Sequence, residues 1–267
     1  MKNLTVIVLI RRRQMHRIVS CLITFFAIIS MLGIISCKDA KSQKSPNKTV
    51  LVLIDYSESV REARKDYIDA IKKVIPKVKL GDHLFVWKIT RLSEMETKPL
   101  IDEDFPYPPP QKNDFYWKQA VTKAEREAKI RFDEIGKKIE GLLNSNSDFS
   151  RKTDILGSLQ VAEKVFKKDK KDKAVLIIMS DMIEDSSEYN FEKERLSDKR
   201  IGEIINHEKI KKRLPDLSGV NVYVVGAKAP TREQYQNIQN FWLRYFKECG
   251  ANLPKENYGS ALLIFNE

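Results

Sequence analysis

The segment Val50–Ser59, VLVLIDYSES, decides how the rest of the chain reads. Five consecutive apolar residues, three of them β-branched, are too few for a helix of usual length and suit a strand buried on both faces, as at the centre of a parallel sheet. The run stops at Asp55, and Ser57 and Ser59 follow at alternate positions. One carboxylate and two hydroxyls therefore leave the carboxyl end of a central strand together, where open α/β sheets bind ligands. All three offer oxygen, the donor that hard cations such as Mg²⁺ take.

Downstream, strands alternate with helices. Val60, Ala63, Tyr67, Ile71 and Val74 recur at three- and four-residue steps and predict a helix ending at Pro76. Gly81-Asp82 opens a second strand at His83–Ile89, with a weaker extended piece near Lys98–Ile101 as its antiparallel edge partner. Asp102–Asp114 holds four prolines and reads as a loop or lid. A long helix follows, capped by Asn113 or Asp114, with a narrow apolar stripe through Trp117, Val121, Ala124, Ala128, Phe132, Ile135, Ile139 and Leu142. Next come a helix with Ile155, Leu159, Ala162 and Phe166 inward, and a second fully buried strand, Ala174–Met179, closed by Ser180-Asp181. An acidic irregular loop (Ile183–Asp198), a helix (Ile201–Leu214), a strand (Val220–Val225), a helix (Thr231–Glu248) and a last strand (Ala261–Phe265) complete the pattern. The expected fold class is α/β: one domain over 49–267 with a mainly parallel sheet, one antiparallel edge strand and helices on both faces.

The first 36 residues stand apart. Lys2, Arg11–Arg13 and Arg17 precede an apolar stretch from Ile18 to Ile35, and the break reads Ile34-Ile35-Ser36-Cys37. A basic head, an apolar middle and a small residue before the break describe an export signal, and the break resembles a bacterial lipobox. That resemblance implies cleavage before Cys37, lipidation of its thiol, and a tether over 37–48. An uncleaved membrane anchor is the alternative, and it too puts the domain outside the cytoplasm. Either way the expected place is the cell envelope, tethered to a membrane and facing the periplasm or exterior. The LTVIVLI run before Arg11 fits neither scheme, which makes Met15 a candidate start. Loss of Met1–Ser36 removes five basic residues and no acid, lowering the formal net charge from +11 to +6, so nucleic acid is discounted as a partner. With Cys21 in the signal and Cys37 lipidated, Cys249 stands alone; no internal disulfide is expected, and a buried apolar role is.

Asp55 and Asp181 each end a buried strand, and Thr153 stands just before a helix. If the two strands are neighbours where strand order reverses, Asp55, Ser57, Ser59, Thr153 and Asp181 meet in one crevice, able to surround an octahedral Mg²⁺ or Mn²⁺. This arrangement, DxSxS…T…D, resembles the metal-ion-dependent adhesion site of the Rossmann-like von Willebrand factor A domain, over roughly Thr49–Phe265. The resemblance implies direct metal coordination by Ser57 and Ser59, direct or water-mediated coordination by Thr153, and water-mediated contact from Asp55 and Asp181. It also implies an open coordination position filled by a carboxylate of a partner protein. Two departures are Lys152 where a Gly is frequent before the Thr, and a longer insertion, Phe105–Ser145.

The expected function is thus metal-dependent protein binding by a membrane-anchored domain, not catalysis. An alternative is a metal-dependent phosphohydrolase with Asp55 as nucleophile, although the haloacid-dehalogenase pattern it resembles carries a second Asp where this chain has Ser57, and a serine is a poor acid or base. A metal-free structural lipoprotein is the third option. His83 and His207 lack zinc spacing, the acidic loop reads as a solvated border of the metal face, and Phe241, Trp242, Tyr245 and Phe246 read as core.

Overall fold

Strand β1, Lys48–Asp55, lies at the centre of a six-stranded sheet and is buried along its whole length. It pairs in parallel with β2 (His83–Ile89) on one side and β4 (Lys173–Met179) on the other. Val50, Val52 and Ile54 point into one core and Leu51 and Leu53 into the other, so the unbroken apolar run follows from having no solvent face. Each such side chain is worth about 1.5–3 kcal/mol when fully buried. The computed structural model describes residues 47–145, 150–261 and 265. The expected signal, Cys37 and nearly all of the tether lie outside them.

The strand order is β3-β2-β1-β4-β5-β6, with β3 (Ile101–Asp104) antiparallel to β2, and β5 (Val220–Val225) and β6 (Tyr258–Gly259) parallel to their neighbours. The order reverses between β1 and β4, the position required for a crevice at their carboxyl ends. One face carries α1 (Arg64–Val74) and the long α2 (Asp114–Asn144); the other carries α3 (Ile155–Lys168), α4 (Asp198–Ile210) and α5 (Arg232–Glu248). The expected α/β class, its mainly parallel sheet and its single antiparallel edge are all present.

The inserted helix α2 is about 46 Å long at 1.5 Å per residue. Asn113 caps it, its side-chain oxygen accepting the Phe115 N–H at 2.9 Å. Ala128, Ile135, Ile139 and Leu143 are buried against the sheet face that α1 also covers, while Trp117, in the first half, donates to the Pro108 carbonyl. Cys249 is buried, and the aromatic group at 241–246 packs in the core as expected.

Several expectations need correction. The edge strand runs Ile101–Asp104 rather than Lys98–Ile101, so Asp102–Asp104 belong to the sheet and not to the proline loop. Helix α4 ends at Ile210, because Lys212 turns to a φ of 57° and Leu214 packs on the core from outside the helix. Residues 182–197 are irregular but not a solvated border: Tyr189, Phe191, Leu196 and Glu184 are buried. The final strand among described residues is Tyr258–Gly259, and most of Ala261–Phe265 lies outside them.

Candidate metal site

Register places the site. Ile54 pairs with Met179, so Asp55 is level with Ser180, and Asp181 is one residue beyond. Each aspartate spends one oxygen on its own turn: Asp55 Oδ1 accepts the Ser57 N–H at 2.9 Å, and Asp181 Oδ1 accepts the Ile183 N–H at 2.9 Å. The second oxygens are exchanged between the strands. Asp55 Oδ2 accepts the Ser180 hydroxyl at 2.7 Å, and Asp181 Oδ2 accepts the Ser59 hydroxyl at 3.0 Å. The Ser57 and Ser59 hydroxyls are themselves 3.0 Å apart. Ser57, Ser59 and Asp181 therefore form one continuous chain of oxygens, and Asp55 joins it through the Ser57 N–H, burial falling from fully buried Asp55 to exposed Ser59.

Thr153 reaches the same rim by backbone. Ser150 bridges Ser57, and Thr153 exchanges two backbone hydrogen bonds with Asp185. Its side chain is buried but makes no hydrogen bond to the other four among the described residues. Nor does it cap α3: Asp154 does, through the Gly157 N–H at 2.8 Å, with Glu184 Oε2 accepting the Ile155 and Leu156 N–H groups.

The charge at this rim is unbalanced. Burial raises the Asp55 carboxyl well above the usual range and the neighbouring Asp181 charge raises it further; the hydrogen bonds from Ser180 and Ser57 offset only part. Burial raises Asp181 too, against the Ile183 N–H and Ser59. Neither carboxylate has an ion pair among the described residues. A divalent cation suits this donor set on two grounds. It supplies the missing positive charge, and oxygens in adjacent positions around Mg²⁺ at 2.0–2.1 Å lie roughly 2.9 Å apart, close to the Ser57–Ser59 and Ser59–Asp181 separations.

Sequence reasoning missed three supports. Ser180 joins Asp55 to β4 and also accepts the Met182 N–H at 3.0 Å; a hydroxyl beside the strand-ending aspartate was its signal. Met182 takes a φ of 67°, held by that bond and by Trp242 Nε1–H donating to its carbonyl at 2.8 Å, and this turn aims Asp181 back at Ser59. Behind the site the Tyr67 ring lies over Gly226, where an added Cβ would sit 2.5 Å from the ring, so Gly226 (φ 95°) permits a contact no side chain would.

A second acidic cluster, Glu188, His207 and Glu208, has ligand atoms within 4.8 Å of one another. Its charge is already met. Arg213 bridges both glutamates, Lys211 pairs with Glu188 at 3.1 Å, and the Tyr189 hydroxyl donates to Glu208 at 2.6 Å. This network fastens the 182–197 loop to α4.

No family model and no curated protein matches the chain. Among solved structures it is similar to the three N-terminal domains of the type V pili tip protein Mfa5 from Porphyromonas gingivalis (16% identity, TM-score 0.31), covering 52% of this chain and 20% of that one. It is similar to the PilB minor pilin from Streptococcus sanguinis (12% identity, TM-score 0.44, covering 80% and 59%) and to the human COPII-coat protein Sec24c (10%, 0.34, covering 73% and 28%). The chain thus spans a fifth and about three-fifths of the two pilus proteins, and likenesses this partial carry no argument about what it binds. Among the described residues no helix is long and apolar enough to cross a membrane.

Proposed function

We propose that this chain is an exported, lipid-anchored module of the von Willebrand factor A type that binds a partner protein through Mg²⁺ or Mn²⁺ held by Ser57, Ser59, Thr153, Asp55 and Asp181. The observation that carries the proposal is the exchanged pair of hydroxyl–carboxylate bonds between β1 and β4, Ser180 to Asp55 and Ser59 to Asp181, around two buried carboxylates that make no ion pair among the described residues. When bound, the cation supplies a strong, directional contact for an acidic side chain of the partner. The residues of the chain do the rest. Asp55 and Asp181 hold the negative charge in place, the buried Ser57 and exposed Ser59 hydroxyls offer lone pairs beside it, and the Met182 turn fixes Asp181. Anchoring at Cys37 rests on the lipobox resemblance alone.

The phosphohydrolase alternative has less support. Asp55 is buried and both its oxygens are engaged, by the Ser57 N–H and the Ser180 hydroxyl, which leaves it poorly presented as a nucleophile.

Calorimetric titration of the full chain with Mg²⁺, Mn²⁺ and Ca²⁺ tests the proposal. Saturable one-site binding is expected for wild type and loss of at least tenfold in affinity for Ser57→Ala. Equal metal binding by wild type and Ser57→Ala would contradict it.

A further inference from the structure

The two sides of the candidate metal site differ in chemistry. On the β2 side the rim opens into a wide polar hollow of about 620 Å³, lined by exposed Arg91, half-buried Glu96 and half-buried Lys88, whose ammonium sits 4.3 Å over the Tyr56 ring. On the β5 side lies a smaller cavity of about 190 Å³ that shares Ser59 and Asp181 with the site itself. Its other walls are small and apolar: Val60, Ala63, Ile183, Ala229 and Pro230. An exposed Glu62–Lys228 ion pair, 3.3 Å apart, stands at its lip.

Resting on the metal-dependent reading above, we propose that the β5-side cavity is a specificity pocket. It takes a compact aliphatic side chain adjacent to the partner's coordinating Asp or Glu, in an extended acidic segment of a partner protein. Three features carry this. Because the cavity shares Ser59 and Asp181 with the site, a carboxylate placed there brings its sequence neighbour to the apolar walls. Those walls hold no hydrogen-bonding side chain beyond the shared residues and the paired Glu62 and Lys228, so a polar neighbour would lose its water without compensation. On the far side, Lys88 and Arg91 outweigh Glu96, so the hollow favours negative charge further along the same segment.

The test uses three blocked tripeptides as probes, acetyl-Leu-Glu-Leu-amide, acetyl-Gly-Glu-Gly-amide and acetyl-Leu-Gln-Leu-amide, titrated into the full chain in saturating Mg²⁺ and in chelator. Leucine on both sides of the acid removes any dependence on chain direction. The Leu-Glu-Leu probe should bind on the order of tenfold more tightly than Gly-Glu-Gly, the gain from burying one leucine, and only with Mg²⁺; the Gln probe should not bind. Filling the cavity with Ala229→Leu should bring the two glutamate probes to the same affinity, and Ala63→Leu should do so from the opposite wall. Equal binding of the two glutamate probes by wild type, or a leucine preference that survives both substitutions, overturns the pocket and leaves the metal site standing. Absence of Mg²⁺ binding itself overturns both.

Discussion

The two ends of strand β1 both bury carboxylates, and they are finished in opposite ways. At the amino end Asp82 accepts the Lys48 and Lys79 N–H groups at 3.0 and 2.8 Å, and the Lys48 ammonium, bonded to the Lys77 carbonyl, lies 3.7 Å away. Burial pushes Asp82 up and those partners pull it back. At the carboxyl end, about 23 Å along the strand at 3.3 Å per residue, Asp55 and Asp181 lie buried with serine hydroxyls and amides but no ion pair among the described residues, the Lys228 charge pulling Asp181 down without touching it. The fold closes the first end with its own ion pair, and the proposed function gives the second end to an external cation.

If that contrast holds, the two ends respond to mutation with opposite signs. The largest effect belongs to the closed end. Lys48→Met strands Asp82 without its cation and should cost about 3–5 kcal/mol, read as a fall in the denaturant midpoint that Mg²⁺ leaves uncorrected. A cost below about 1 kcal/mol would show that the amides alone suffice and would blur the contrast.

Glu184 sharpens the comparison as a third case, a fully buried carboxyl compensated by a helix amino terminus rather than by a cation. Burial, with Asp154 nearby, pushes it from 4.5 up to about 8. An acid raised in the folded state binds its proton there while the unfolded chain has lost it, so stability falls as pH rises from about 4.5 to about 8. Wild type in chelator should therefore lose stability between pH 5 and pH 8. Glu184→Gln should flatten that loss by on the order of a few kcal/mol, with the slope from Asp55 and Asp181 remaining. An unchanged slope would mean Glu184 is not held neutral.

Much of the frame was legible in the sequence because its strands are buried on both faces: VLVLI and AVLIIM carry no polar alternation, and an aspartate follows the first directly and the second after Ser180. The pairing of β1 with β4 stood as a condition in the sequence and is met by the sheet order. What escaped was whatever owes its position to tertiary contact rather than to pattern. The edge strand Ile101–Asp104 is acidic because only one side of it pairs, so it carries no apolar signature. The 182–197 loop reads as solvated from its glutamates, yet Phe191 packs on Phe241 and Trp242, and Arg213, well past its end, meets the charge of Glu188. Ser180 read only as part of the close of its strand until register set it level with Asp55. The resemblance to an adhesion site named Thr153, whose hydroxyl bonds to none of the other four among the described residues.

Thermal and denaturant unfolding of wild type and Asp55→Asn, with and without Mg²⁺, tests the open end most directly. In chelator the variant should be the more stable by about 1–2 kcal/mol, since one of two repelling buried charges is gone. With Mg²⁺ at a hundred times its dissociation constant, wild type should gain about 2.7 kcal/mol and the variant almost nothing, so the order of stability reverses. Equal response of both proteins to Mg²⁺, or none in either, would contradict a cation site at the carboxyl end of β1.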